Sequence, residues 1–237
     1  MIGCVGDDAY GETIIRNLKK NRVRADYVEP VTGVKSGTAH ITLTEGDNSI
    51  IVVKGANDYV TPVYVQKALE VIIHSDIVII QQEIPVETVE YVSEVCEGNG
   101  VPLLLNPGPA RPLTQEVVEK STYLTPNEHE ATLLFESASQ SDILRKYPNK
   151  LFITEGEKGV RNFNGTEEVL VPSFPVQAVD TTGAGDTFNA AFSVAVAEGK
   201  EFSQALRFAN RAASLSVTKF GAQGGMPTRQ EVEAYFV

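Results

Sequence analysis

Between Val179 and Phe188 the chain reads Val179-Asp180-Thr181-Thr182-Gly183-Ala184-Gly185-Asp186-Thr187-Phe188. Three small residues sit where a helix begins, with a carboxylate on either side. Gly183, Ala184 and Gly185 allow backbone N–H groups to converge, and a helix N-terminus adds partial positive charge. That combination makes an anion hole suited to a transferring phosphoryl group. Asp186 falls in the first turn of the helix, where a carboxylate can take the proton of an attacking hydroxyl. The plainer reading is a helix start with an acidic first turn.

Other residues carry weaker signals. Glu83 follows a buried strand, and α/β folds place ligands at the C-terminal ends of strands. Asn127 is a good helix N-cap with acids behind it, Glu130 among them. Thr154-Glu155-Gly156-Glu157-Lys158-Gly159 follows another buried strand and reads locally as a turn. No Gly-x4-Gly-Lys-Ser/Thr loop is present, and His40, His74 and His129 lack the spacing of a zinc site.

Elements of α/β type must position these residues. Residues 1–5 read as a core strand, 7–11 as a turn, and 12–20 as a helix with Ile14, Ile15 and Leu18 at helical spacing. Runs at 38–43 and 49–53 flank Glu45-Gly46-Asp47-Asn48, which is hairpin chemistry and predicts a small lid over about residues 37–54. Thr61-Pro62 starts a helix running to about 74. Strands are expected at 76–81, 101–105, 123–125 and 151–154, with helices at 86–97 and 114–120 and another opening at Asn127. An outer hairpin spans 161–171 with Asn164-Gly165 at its tip. Helices over 183–198, 203–219 and 228–236 close the chain. The alternation predicts βαβ units in one domain over 1–237: a mostly parallel central sheet flanked by helices, with a partial β lid.

Composition sets the class. Of 237 residues, 42% are hydrophobic and 22% charged, with 20 Lys plus Arg against 31 Asp plus Glu. A net charge of −11 argues against nucleic acid or an anionic membrane as partner. Cys4 and Cys96 cannot form a disulfide framework and suit a reducing compartment. No apolar run is long enough to cross a membrane as a helix, and the first residues lack the pattern of a signal peptide, so a cytoplasmic location is expected.

The Val179–Phe188 stretch resembles the carboxy-terminal motif of the ribokinase (PfkB-type) carbohydrate kinases. The likeness extends from Val5-Gly6-Asp7-Asp8 to Gly221-Ala222-Gln223. It includes Glu45-Gly46-Asp47-Asn48, Gly55-Ala56-Asn57 with Thr61-Pro62, Gln82-Glu83-Ile84-Pro85, Asn106-Pro107-Gly108-Pro109-Ala110-Arg111, Thr125-Pro126-Asn127-Glu128-His129-Glu130, Ala209-Asn210 and Lys219-Phe220-Gly221-Ala222-Gln223.

The resemblance implies an ATP-dependent kinase that phosphorylates D-ribose at its 5-hydroxyl, or a related sugar or nucleoside kinase of fructokinase type. Asp186 takes the place of the family's catalytic base, next to the sugar and the nucleotide. Gly183, Ala184 and Gly185 take the place of its anion hole, Gly185 also touching the nucleotide. Glu83 matches a sugar-binding residue. Asn127 would face the nucleotide phosphates, and Glu130 would organise Mg²⁺ through water. Thr154, Glu155, Gly156, Glu157, Lys158 and Gly159 match the nucleotide-contacting turn, and Asn210 a position beside the adenine or ribose. A K⁺ site is implied at Asp180, Thr182, Ser216, Lys219, Gly221 and Gly225, mostly through carbonyl groups.

The family often forms homodimers through its lid strands. Its amino-terminal portion has no counterpart here: a first strand with a sugar-binding Asp, half of the lid, and a Gly-Gly-Lys-Gly-Ala-Asn loop. Lys54-Gly55-Ala56-Asn57 mimics that loop but belongs to the later Gly-Ala-Asn segment. The stretch 135–150 is also shorter than the family's, so a helix there is reduced or lost. The nucleotide side is retained and the sugar side reduced. This leaves a nucleotide-binding remnant without turnover as the contrasting expectation.

Overall fold

A computed structural model describes residues 1–44, 47–135 and 139–234. The chain divides into two compact units, Met1–Ser75 with Gln82–Asn99, and Asp76–Gln81 with Gly100–Val237.

In the first unit β1 (Ile2–Gly6) pairs in parallel with β2 (Tyr27–Val31) through α1 (Ala9–Lys20). The turn expected at 7–11 is instead the start of this helix. Asp8 is its N-cap and accepts from the Gly11 N–H at 2.9 Å, which draws helix geometry back to Ala9. Asp8 also accepts from the Ser36 N–H at 2.9 Å and hydroxyl at 2.7 Å. These bonds, the Ser36 N–H first, hold its pKa down at about 2. Ile14, expected on the apolar face of α1, is exposed.

Strand β2 was not foreseen. The lid hairpin is β3 (Thr38–Thr44) against β4 (Asp47–Val53), antiparallel, with Thr38 opposite Val53. Glu45 and Gly46 of the expected turn lie outside the described residues. Thr61 caps α2 (Pro62–Gln66) by accepting from the Tyr64 N–H. The helix expected to reach residue 74 breaks: Ala68, fully buried, leaves helix geometry (φ −103°, ψ 13°), and α3 (Leu69–Ile73) follows. The Tyr64 hydroxyl lies 2.8 Å from both the Gly3 and Tyr27 carbonyl oxygens, pinning the β1–β2 pair. Helix α4 (Val86–Asn99) buries Val89, Val92 and Cys96.

In the second unit β5 (Val78–Ile80), β6 (Leu103–Leu105) and β7 (Tyr123–Leu124) form a parallel sheet. All three leucines of β6 are fully buried, as an interior parallel strand requires. Single parallel bridges, Leu124 to Leu151 and Asn127 to Thr154, join β7 to β8 (Phe152–Thr154). From there the sheet turns antiparallel through β9 (Gly159–Phe163) and β10 (Glu168–Pro172). Their loop carries Asn164-Gly165, where the Asn164 carboxamide accepts from the N–H groups of Thr166 and Glu167.

The helices of this unit are α5 (Gln115–Lys120), α6 (Glu128–Leu134), α7 (Gln140–Lys146), α8 (Ala184–Ala197), α9 (Phe202–Ser216), α10 (Ala222–Gly225) and α11 (Arg229–Ala234). Within 135–150 the helix is thus reduced to α7 rather than lost; residues 136–138 lie outside the described residues. Phe236, expected at the end of the last helix, does too. Alanines 195, 205, 209 and 212, all buried, let α8 and α9 approach closely. Phe152, Phe188, Phe192 and Leu206 fill the space between this helix pair and the sheet. The pair is thereby fixed over the strands, and the N-terminus of α8 has a defined position.

Candidate active site

The loop before α8 is shaped by one carboxylate and one left-handed glycine. Asp180 accepts from the Thr182 N–H at 2.9 Å and from the Gly221 N–H at 2.8 Å. It therefore ties its own loop to the loop after α9, and those donors, Thr182 first, hold its pKa below the usual carboxylate range. The Val179 N–H donates to the Val217 carbonyl at 2.7 Å and reinforces the tie. Gly183 is the N-cap of α8 at φ 81°, a conformation side chains rarely adopt, and no side chain caps the helix. A methyl on Gly183 would lie 3.0 Å from the Ala222 Cα. The Ala184 N–H reaches back to the Thr181 carbonyl at 3.2 Å, but the next two N–H groups of α8 have no carbonyl one turn back to bond to. Those of Gly185 and Asp186 therefore stand at the open end of the helix.

Asp186 occupies the third position of α8 and is exposed. Its Oδ1 accepts from the Gln81 Nε2 at 3.1 Å, just beyond the end of β5. A cleft of about 540 Å³ opens in front of this carboxylate, with Gly183, Ala184, Gly185, Asn127, Glu130, Thr154 and Gly156 among its walls. It lies at the C-terminal ends of the parallel strands, where the chain leaves β6, β7 and β8. A second cleft of about 650 Å³ shares Gly156, Ala184, Asn210 and Ala213 with the first and is bounded by Glu157, Lys158, Phe174, Val176 and Val217.

Asn127 and Glu130 form a reciprocal capping box. The Asn127 N–H donates to Glu130 Oε2 at 2.8 Å, and the Glu130 N–H donates to Asn127 Oδ1 at 2.8 Å. One carboxylate oxygen of Glu130 is thereby spent on the backbone; Oε1 faces Gly108, 2.8 Å from where a methyl there would sit. Asn210, buried, donates through Nδ2 to the carbonyls of Val171 (2.8 Å) and Pro172 (3.1 Å) and so fixes the end of β10 at the junction of the two clefts.

Thr154, Gly156 and Gly159 line the first cleft, and Glu157 and Lys158 the second. The Lys158 ammonium is 3.6 Å from Glu128. Glu155, expected among the nucleotide contacts, lines neither cleft. Only 5% exposed, it turns inward onto Arg161 and Gln140, because an unpaired buried carboxylate would be costly.

The residues expected around K⁺ come together. Asp180 is bonded to Thr182 and Gly221, and the Gly225 N–H donates to the Gly221 carbonyl at 2.8 Å. The Ser216 and Lys219 carbonyls face Gly225, where a Cβ would lie 2.2 Å from the first and 3.6 Å from the second. The Lys219 ammonium points away, to Glu231 at 3.4 Å. Glu83 is exposed and belongs to the first unit.

Some features of the cleft were not foreseen. Gln81 is one; its place at a strand's C-terminal end was the available signal. Asn189, one helical turn after Asp186, lines the cleft at 3% exposure, and neither amide atom has a hydrogen-bond partner. Thr125 Oγ1, on the same cleft, is equally unpartnered.

The donor chemistry suits a magnesium nucleotide. Glu128, Glu130 and Asp186 line the first cleft, and among the described residues no Lys or Arg does. A polyphosphate placed there needs a divalent cation to offset its charge. The described residues hold no group of three His, Cys, Asp or Glu able to cage a metal. Mg²⁺, which keeps its waters and binds mainly through phosphates, fits such a site. The oxygens gathered around Gly221 and Gly225 likewise suit a hard monovalent cation.

An open helix N-terminus with a carboxylate beside it, over the ends of a parallel sheet, is the apparatus of a phosphotransferase. The sequence matches the pfkB family carbohydrate kinases over residues 1–229, and the chain belongs to that family. It is 66% identical to a ribokinase of Bacillus subtilis over 233 residues, 98% of this chain and 80% of the relative. It is 44% identical to a ribokinase of Lactococcus lactis over 234 residues, 99% and 78% of the two chains. The structure of Arabidopsis thaliana ribokinase complexed with ribose and ATP superposes with a TM-score of 0.88 at 36% identity, covering 98% of this chain and 80% of that one. The fold is ribokinase-like. Among the described residues, no helix is long and apolar enough to cross a membrane.

Proposed function

We propose that the chain transfers the γ-phosphoryl group of ATP to the 5-hydroxyl of D-ribose, giving ribose 5-phosphate and ADP. The observation that carries this is Asp186 in the first turn of α8, beside N–H groups left open at the helix start, in a cleft that continues into a second one. The choice of sugar rests on the likeness to ribokinases, one of them described with ribose and ATP.

Asp186 takes the proton of the sugar hydroxyl as its oxygen attacks the γ-phosphorus. The bond from that phosphorus to the β,γ-bridging oxygen breaks, and the electron pair leaves with ADP. Gln81, donating to Asp186 Oδ1, orients the carboxylate so that Oδ2 can receive the proton. The Gly185 and Asp186 N–H groups meet the charge on the transferring group, and Gly183 lets the backbone turn so that they converge. The triphosphate lies in the first cleft and the nucleoside in the second, with the 154–159 turn between them. Mg²⁺, when bound, offsets phosphate charge near Glu130. K⁺, held by carbonyls around Gly221 and Gly225, would stiffen the loop that Asp180 already ties. The exposed Ile51, Val52 and Val53 of β4 offer a surface for pairing two copies through the hairpin.

The test is ADP release with ATP, Mg²⁺, K⁺ and D-ribose, with ribose or K⁺ omitted in controls and Asp186→Asn alongside. Ribose-dependent release that vanishes in the variant supports the reading. Release with a different sugar or nucleoside only would move the substrate, and nucleotide binding without release to any acceptor would refute turnover by this chain.

A further inference from the structure

We infer that Glu155 is a positioning residue for the nucleotide: clamped from two elements, its buried carboxylate sets the course of the turn that separates the two clefts. The inference rests on the kinase reading above and adds a residue to it.

Arg161, on β9, donates through Nε at 2.5 Å and through a terminal nitrogen at 3.1 Å to the two carboxylate oxygens, a forked pair. Gln140, at the start of α7, donates to Oε1 at 2.8 Å. Three donors thus meet a group that is 5% exposed, and Arg161, foremost, holds the carboxyl below its ordinary pKa. The backbone of the turn hangs on the same residue. The Glu155 N–H donates to the Gly159 carbonyl at 2.8 Å, and the Lys158 N–H donates to the Glu155 carbonyl at 3.1 Å. The next residue, Gly156, lines both clefts, and Glu157 and Lys158 line the second.

Arg161 and Gln140 come from elements on either side of the turn, so the carboxylate fixes it against both. The contact reaches the nucleotide only through backbone position. It should therefore act on nucleotide affinity and leave the sugar and the phosphoryl-transfer step alone.

Three variants grade the effect: Gln140→Ala removes one bond, Arg161→Gln the forked pair, and Glu155→Gln turns an amide donor toward the guanidinium. MgADP affinity by calorimetry is measured beside initial rates. Loss of a charged hydrogen bond corresponds to roughly ten- to a hundredfold in an equilibrium constant. Glu155→Gln and Arg161→Gln are expected to weaken MgADP and raise KM for ATP about tenfold. Gln140→Ala should do so about twofold, with kcat and KM for ribose little changed throughout. Unchanged MgADP affinity in all three overturns the inference, whatever happens to thermal stability. Equal loss toward both substrates, or a fall in kcat alone, overturns it too. If the native chain binds no nucleotide, the kinase reading itself fails and takes this inference with it; binding without turnover leaves the calorimetric comparison decisive.

Discussion

Gly183 and Gly185 stand two residues apart in the same motif, and the structure separates what each is for. Gly183 has φ 81°, and a methyl there would sit 3.0 Å from both the Ala222 Cα and Cβ and 3.2 Å from its carbonyl oxygen. The left-handed backbone alone costs a side-chain residue about 1–2 kcal/mol. The contact with Ala222 adds a shift of the loop by a few tenths of an ångström. In a chain of this length each kcal/mol moves Tm by about 2–4 °C, so Gly183→Ala should melt about 2–8 °C lower. Because the shift displaces donors aimed at the phosphoryl group, kcat should fall about ten- to a hundredfold.

Gly185 is different. Its φ is not left-handed, and beyond its chain neighbours and the adjacent backbone of its own helix no heavy atom of the described residues lies within 4 Å of a methyl placed on it. Gly185→Ala should keep or slightly raise Tm, since alanine is the better helix residue by up to about 1 kcal/mol. Yet Gly185 lines the cleft, so the methyl enters space the phosphates need, and KM for ATP should rise. Thermal melts and ADP-release kinetics on the two variants read the contrast directly. A Gly183→Ala protein with native Tm and native kcat would refute the strain argument. A fully active Gly185→Ala would show that phosphate does not approach this backbone.

Three other outcomes follow from named contacts. Asp186→Asn should lower kcat about 10²–10⁴-fold while MgADP affinity stays within a few fold, because the proton acceptor is lost and the helix N-terminus is not; calorimetry beside the rate assay checks both halves. Gly225→Ala places a methyl 2.2 Å from the Ser216 carbonyl oxygen, so that carbonyl must move; the rate should lose its response to added K⁺. Asp8 has its pKa held at about 2, below an ordinary aspartate value of about 3.9. Its contribution to stability is therefore complete above the ordinary value and disappears as pH falls through about 2. Asp8→Ala should lower Tm at neutral pH, and the gap to the native chain should close in acid; a gap that is constant with pH would refute it.

How much of this could be read from the sequence depended on what each signal encodes. Strands β6 and β8, which are buried, announced themselves as apolar runs, as did β5, although its Ile79 is 40% exposed where burial on both faces was expected. The β9–β10 loop showed as Asn164-Gly165, and the starts of α2 and α8 as Thr61-Pro62 and Gly183-Ala184-Gly185. Strand β2 was missed because Glu29 and Pro30 interrupt its apolar pattern, and only pairing with β1 makes it a strand. The break at Ala68 was missed because alanine is a strong helix former and tertiary packing overrode it. Turn chemistry at Asp7-Asp8 concealed an N-cap, since the same side chains serve both ends.

At the site the limit was side-chain direction. A motif places residues along the chain, and it is the fold that decides which way they face. Glu155 sits inside a glycine turn beside the clefts, yet its carboxylate is spent on Arg161 and Gln140, two residues no local pattern connects to it. Carbonyl groups, which make up most of the expected K⁺ site, leave no trace in residue type; Asp180 alone had an informative side chain there. That side chain in turn accepts from the N–H groups of Thr182 and Gly221. The loop proposed to hold K⁺ and the proposed anion hole would therefore move as one mechanical piece, tied by the Asp180 carboxylate. A cation bound behind that loop would act on phosphoryl transfer by the same route as Asp180, through the position of the Gly185 and Asp186 N–H groups. The K⁺ response and the Gly183 strain should accordingly be non-additive in a double variant with Gly225→Ala, because both perturb a single backbone segment.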